Sequence, residues 1–169
     1  MRIVRTRLLE MMPELSVFLD VEDLKDISDL EGYIERSETV LVMCTKGYFQ
    51  SRNCIRELRC AVRLGKPLLA MLDLDSDTRS LSVEEVRAEL LQMQTRLVAW
   101  GLDGDGGPSG TECFDALFAR EPIEWNRIGV FQDITMRLSA ERVLPEGHAP
   151  TCIAGEITQA PVQLPPPPA

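Results

Sequence analysis

The sequence predicts an α/β fold, an open parallel sheet with helices on both faces, and three observations lead there. The runs Thr39-Val40-Leu41-Val42-Met43-Cys44 and Pro67-Leu68-Leu69-Ala70-Met71-Leu72 are apolar without interruption, as strands covered on both faces must be. Between them lies a segment with the start and stop signals of a helix. Alternating helix and buried strand is the pattern of an open α/β sheet, whose ligand sites usually lie beyond the carboxyl ends of the strands.

Taken in order, Leu8, Leu9, Met12 and Leu15 recur at helical spacing between Arg5 and Leu15, with Pro13 bending or ending that helix. Ser16–Asp20 reads as a short buried strand and the acidic stretch Val21–Ile27 as a loop. Ser28 followed by Glu31 is a capping-box signature for a helix reaching about Glu35. After the strand Thr39–Cys44, Lys46-Gly47-Tyr48 makes a turn. Ser51 caps a helix to about Leu64, Gly65 stops it, and Pro67 forbids its continuation. The strand Pro67–Leu72 follows. Val83–Leu97 is expected as one amphipathic helix, Gly101–Gly110 as a flexible loop and Ile123–Val130 as the last strand. Phe131–Val143 is expected to close the domain as a helix with Phe131, Ile134, Leu138 and Val143 inward. The domain is assigned to residues 1–144 and a Pro-rich linker or tail to 145–169.

Composition narrows the function. The 169 residues carry 18 Lys and Arg against 27 Asp and Glu, a formal charge of −9, which argues against a general nucleic-acid or anionic-membrane surface. No apolar run has the length of a membrane span and the amino terminus lacks a signal peptide's apolar stretch, so a cytoplasmic chain is expected. Five cysteines at irregular spacing, no C-x-x-C and a single histidine, His148, speak against zinc and against a disulfide framework. Cys44, inside an apolar run, reads as a small buried hydrophobe. Asp103 and Asp105 invite a calcium loop but fail its spacing, because Pro108 stands where glycine is required and Phe114 where glutamate is. G-x-G-x-x-G and P-loop patterns are absent. No metal and no resident cofactor are expected.

One segment carries a family resemblance. The run Thr45-Lys46-Gly47-Tyr48-Phe49-Gln50-Ser51-Arg52-Asn53-Cys54-Ile55-Arg56-Glu57-Leu58 is similar to the S-x-x-Y-x-x-S-x-W-C-x-x-E-L pattern of TIR domains, a family of signalling modules and NAD+-cleaving enzymes. Tyr48, Ser51, Cys54, Glu57 and Leu58 match by type, and Phe18-Leu19-Asp20 with Asp23-Leu24 resembles the family's second strand and following loop. Asn53 departs from the pattern, standing where many members have tryptophan. The resemblance implies a flavodoxin-like strand order whose first, central strand should precede the helix at Arg5–Leu15, where only a few residues stand. The chain therefore reads as an amino-terminally incomplete domain. Open edges at Ser16–Asp20 and Val40–Cys44 would make it prone to associate.

At about 100° per residue, the helix after Ser51 sets Cys54, Ile55, Leu58, Ala61 and Val62 toward the sheet and Arg52, Arg56, Arg59 and Arg63 along a separate stripe. Glu57 falls at the border of the apolar arc, away from the arginines, with Asn53, Cys54, Cys60 and Ala61 as its helical neighbours. On the residues alone it reads as a boundary carboxylate, paired with another element or solvated. The resemblance implies a catalytic glutamate at Glu57 in the hydrolysis of the N-glycosidic bond of NAD+, with Thr45, Tyr48, Ser51 and Asn53 shaping the pocket and NAD+ as substrate. The rival reading is a non-catalytic module that self-associates or recruits other TIR domains. There Arg52, Arg56, Arg59 and Arg63 would meet an acidic partner such as the Glu22, Asp23 and Asp26 loop of another copy. The same arginines also fit a phosphate, or a merely solvated helix face.

Overall fold

The computed structural model of the chain describes residues 2–18, 29–73, 80–104, 106–126 and 129–143. In chain order these form α1 (Arg2–Met11), α2 (Leu30–Arg36), β1 (Val40–Met43), α3 (Lys46–Phe49), α4 (Arg52–Arg63), β2 (Leu68–Asp73), α5 (Val83–Leu91), α6 (Met93–Trp100), α7 (Gly110–Leu117), β3 (Ile123–Trp125) and α8 (Gly129–Val143). The expected α/β class holds: the strands form a parallel sheet in the order β1-β2-β3, with helices around it. No helix among the described residues is long and apolar enough to cross a membrane.

β2 explains why its sequence has no polar alternation. Paired on both edges, with Val42 opposite Ala70 and Met71 opposite Ile123, it sends Leu68, Ala70 and Leu72 into one core and Leu69 and Met71 into another. On the first face these side chains meet Ile34 of α2, Phe49 of α3, Ile55, Leu58 and Ala61 of α4, and buried residues of α5, α6 and α7. On the second they meet Val4 and Leu8 of α1 and Met136 and Ala140 of α8.

The elements that position the site follow the sequence closely. Ser51 caps α4, its hydroxyl accepting from the Cys54 N–H at 3.4 Å. Beyond the helix, Gly65 adopts φ 63°, a left-handed turn that glycine takes without steric cost. Thr45 likewise caps the single turn of α3 by accepting from the Tyr48 N–H at 3.3 Å.

Several expectations are corrected. Ser16, Val17 and Phe18 form no strand, while Leu19 and Asp20 lie outside the described residues. Val17 packs against the second core, whereas Phe18 stacks on Tyr33 of α2 with ring centroids 4.1 Å apart. Asp29 occupies the N-cap position of α2; the expected cap Ser28 lies outside the described residues, as do the loop carboxylates Glu22, Asp23 and Asp26 and the tail from residue 145. The helix expected over Val83–Leu97 is divided at Gln92 into α5 and α6, and the second extends to Trp100. The glycine-rich loop ends earlier than expected, because Ser109 and Glu112 form a reciprocal capping box that starts α7. The last strand is confined to Ile123–Trp125.

The largest correction concerns α8, whose buried side is Thr135, Met136, Ser139 and Ala140, with Phe131, Ile134 and Leu138 turned outward. Val143 does pack inward. Small side chains let α8 lie close to the sheet edge. The Thr135 hydroxyl donates to the Glu124 carbonyl of β3 at 2.9 Å, and Ser139 donates to the Thr135 carbonyl at 2.8 Å. Both buried hydroxyls are thereby satisfied, so the face that carries them packs against β3 without the cost of an unpaired polar group.

Gly110 provides a test of packing. A Cβ there would stand 1.9 Å from the Leu90 carbonyl oxygen, backbone that cannot rotate away, whereas a Cβ at Gly47 meets nothing within 4 Å. Gly110→Ala is expected to destabilise the fold by about 1–3 kcal/mol, the usual range for forced overpacking. Gly47→Ala is expected to be neutral or to stabilise by up to about 1 kcal/mol. Urea unfolding midpoints of the two variants check the contrast.

Candidate functional site

α4 presents three surfaces. Ile55, Leu58 and Ala61 are sealed in the larger core, which fixes where the other two point. On one flank Arg52, Arg56, Arg59 and Arg63 come together, as their spacing requires, and line a cavity of about 430 Å³ with Glu31, Cys60, Leu102, Gly107 and Pro108. On the other flank are Asn53 and Glu57, one helical turn apart and both half-buried. Glu57 is not among the residues lining that cavity.

The arginines are not equivalent. Arg59 is 5% exposed, and its guanidinium donates through Nε to the Pro108 carbonyl at 3.0 Å and through Nη1 to the Leu102 carbonyl at 3.3 Å. It therefore pins the loop between α6 and α7 against α4 and builds the cavity wall, which removes it from the solvated stripe expected from the helical pattern. Arg56 pairs with Glu31 of α2 at 2.7 Å. Burial pushes the Glu31 carboxyl up, but the Arg56 hydrogen bond and the charges of Arg56 and Arg63 outweigh it and hold Glu31 below its ordinary value. Glu31 is thus ionised at neutral pH. Arg63 reaches the Cys60 sulfur at 3.8 Å, and both Arg52 and Arg63 are exposed.

The segment linking β1 to α4 holds the other candidates. The hydroxyls of Thr45 and Ser51 accept from backbone N–H groups, which fixes them while leaving each its own proton to donate. Tyr48 is half-buried, its ring edge-on to Phe49 at 5.2 Å. Arg96, which the sequence did not single out, holds this segment from α6. Its guanidinium donates to the Phe49 carbonyl at 2.7 Å, to the Glu89 carbonyl at 3.1 Å and to the Glu89 carboxylate at 2.6 Å. Glu31, Leu102 and Pro108 also escaped the sequence reading, because each meets α4 from an element tens of residues away. The S-x-x-E box at Ser109 was the one local sign that this loop is anchored.

Cys44 and Cys113 are fully buried, and burial pushes both thiols up to about 12, so neither is a thiolate near neutral pH. Among the described residues no cysteine is in a disulfide and no group of three metal-ligating side chains converges. Compared with known families and with curated proteins, the chain matches no family model and no curated protein.

The Arg96 clamp is testable. Arg96 and Glu89 are 20% and 16% exposed, so removing the guanidinium leaves a carboxylate that is largely out of water with a long 3.4 Å bond from the Gln50 amide in place of a charged partner. Arg96→Gln is expected to lower stability by about 1.5–3 kcal/mol, in the range for hydrogen bonds to charged groups. Hydrogen exchange should show faster opening of α3 than of β2.

Proposed function

We propose that the chain is a TIR-like domain that hydrolyses the N-glycosidic bond of NAD+ and releases nicotinamide, with Glu57 as the catalytic carboxylate. The observation that supports this reading is the way Thr45–Leu58 folds. Leaving the carboxyl end of β1, the chain makes one turn capped by Thr45, enters α4 through the cap at Ser51, and sets Asn53 and Glu57 on a half-buried flank. The carboxyl end of a parallel strand is where open α/β sheets place their ligands.

The chemistry asks little of the protein. Nicotinamide leaves as a neutral base, its cationic ring nitrogen taking the bonding electron pair, so no acid is needed at the leaving group. Positive charge develops on the ribose carbon and ring oxygen, and a carboxylate beside them stabilises it, as in glycosidase sites. Water then adds to that carbon and gives up a proton. The Glu57 carboxylate would face the charge, with hydroxyls of Thr45, Tyr48 and Ser51 and the amide of Asn53 available to hold ribose and phosphate oxygens. NAD+ is a substrate in this scheme; no resident cofactor is needed.

Glu57→Gln keeps the size of the side chain and removes its charge. It is expected to lower NAD+ cleavage by about 10²–10³, the usual effect of deleting one electrostatic stabiliser, in a chain that still unfolds cooperatively. Arg137→Gln, in an exposed pair with Glu141 on α8, is the control; buried Arg59 would be a poor one. Nicotinamide release is measured over a range of protein concentrations, because the resemblance implies a site completed by a neighbouring copy. Equal rates for Glu57→Gln and the parent chain would overturn the assignment.

A second reading, a domain that acts by self-association, has its own observation. Phe131, Ile134 and Leu138 recur along one face of α8 and are 49%, 55% and 42% exposed, a contiguous apolar row on an outer helix. If that row joins two copies, Phe131→Asp with Leu138→Asp converts a dimer into a monomer in sedimentation. A monomeric parent chain at high concentration would exclude it.

A further inference from the structure

The arginine cavity is unused by the proposed reaction and lies on the other flank of α4 from Glu57. We infer that it is a binding site for a small molecule bearing two or more closely spaced phosphates. Four guanidinium groups face one carboxylate among the described residues that line it, in a chain whose formal charge is −9. Arg52, Arg56, Arg59 and Arg63 follow one another at three- and four-residue intervals, where like charges repel and destabilise a helix. An anion seated among them relieves that repulsion.

The cavity's chemistry fits phosphate in particular. All four cations are arginine, whose planar fork matches two oxygens of one phosphoryl group, whereas lysine offers a point charge. The stripe runs for roughly 16 Å at about 1.5 Å of rise per residue, too long for a single phosphate and suited to a chain of them. The volume of about 430 Å³ falls within the range of small-molecule sites. One wall is already built: buried Arg59 spends two donors on the Pro108 and Leu102 carbonyls, which brings Leu102 and Pro108 into the lining together with the exposed Arg52 and Arg63. Glu31, ionised and bonded to Arg56, orients that guanidinium and at the same time opposes any incoming anion.

The test uses the full chain in about 150 mM salt, where screening suppresses diffuse surface attraction, with calorimetric titration of inorganic tripolyphosphate, ATP and sulfate. Tripolyphosphate and ATP are expected to bind at least tenfold more tightly than sulfate. Equal affinity for the two means that the phosphate chain alone is read; tighter ATP binding means that Leu102 and Pro108 also take the nucleoside. Replacing the two exposed heads, Arg52→Gln with Arg63→Gln, is expected to weaken tripolyphosphate at least tenfold while leaving the ligand-free unfolding midpoint unchanged or slightly raised. Glu31→Gln is expected to tighten it severalfold, which a merely structural carboxylate would not do. The inference is overturned by absence of tripolyphosphate binding at millimolar concentration, by sulfate binding as tightly, or by binding that Arg52→Gln with Arg63→Gln does not weaken. It is equally overturned if those substitutions abolish self-association of a chain that binds no tripolyphosphate, since the acidic surface of another copy would then be the occupant.

Discussion

Everything in this fold depends on burying β2 on both faces. A strand paired along both edges has satisfied its backbone, and its side chains must then find apolar cover above and below. Leu68, Ala70 and Leu72 require one set of helices; Leu69 and Met71 require another. The cover is unequal: among the described residues α2 through α7 build a thick layer on the first face, while α1, the segment after it with Met12, Leu15 and Val17, and α8 cover the second. The thin side is where the small residues Ser139 and Ala140 bring α8 close, and where the apolar row on its outer face remains in view.

Against that frame α4 is the element on which chemistry is displayed. Its position is set by Ile55, Leu58 and Ala61, all essentially inaccessible to solvent, and by the caps at its two ends. A helix held so firmly by one face can carry unlike groups on its two flanks without shifting to suit either. Glu31 and the loop bearing Leu102 and Pro108 converge on the arginine flank, while the α3 turn, fixed by Arg96, leads into the flank of Glu57.

What was legible in the sequence was whatever depends on near neighbours in the chain. The unbroken apolar runs of β1 and β2, the Ser51 cap and the Gly65 stop each carry their cause within a few residues, and the structure reproduces them. The grouping of the arginines was legible for the same reason, since helical spacing alone puts them together. The burial of Arg59 was not, because its partners lie 43 and 49 residues further along. The outward turn of Phe131, Ile134 and Leu138 escaped for a related reason: apolar periodicity ranks the faces of a helix by hydrophobicity alone. In α8 the buried face includes a hydroxyl, Thr135, whose partner is an edge-strand carbonyl that only the tertiary structure supplies.

The three surfaces of α4 also decide how function can be assigned to it. A substitution in the core face would move the whole helix and disturb both flanks, so loss of any activity there would identify nothing. Asn53 and Glu57 on one side are half-buried, and Arg52 and Arg63 on the other are exposed, while Ile55, Leu58 and Ala61 belong to the buried cluster. Charge removed from a flank therefore disturbs the frame less than a change in the core face does. Arg59 is the exception that marks the boundary: its charge belongs to the arginine flank, but its hydrogen bonds belong to the architecture. A variant at Arg59 confounds binding with folding, whereas the exposed Arg63, one turn on, and Arg52, two turns back, separate them.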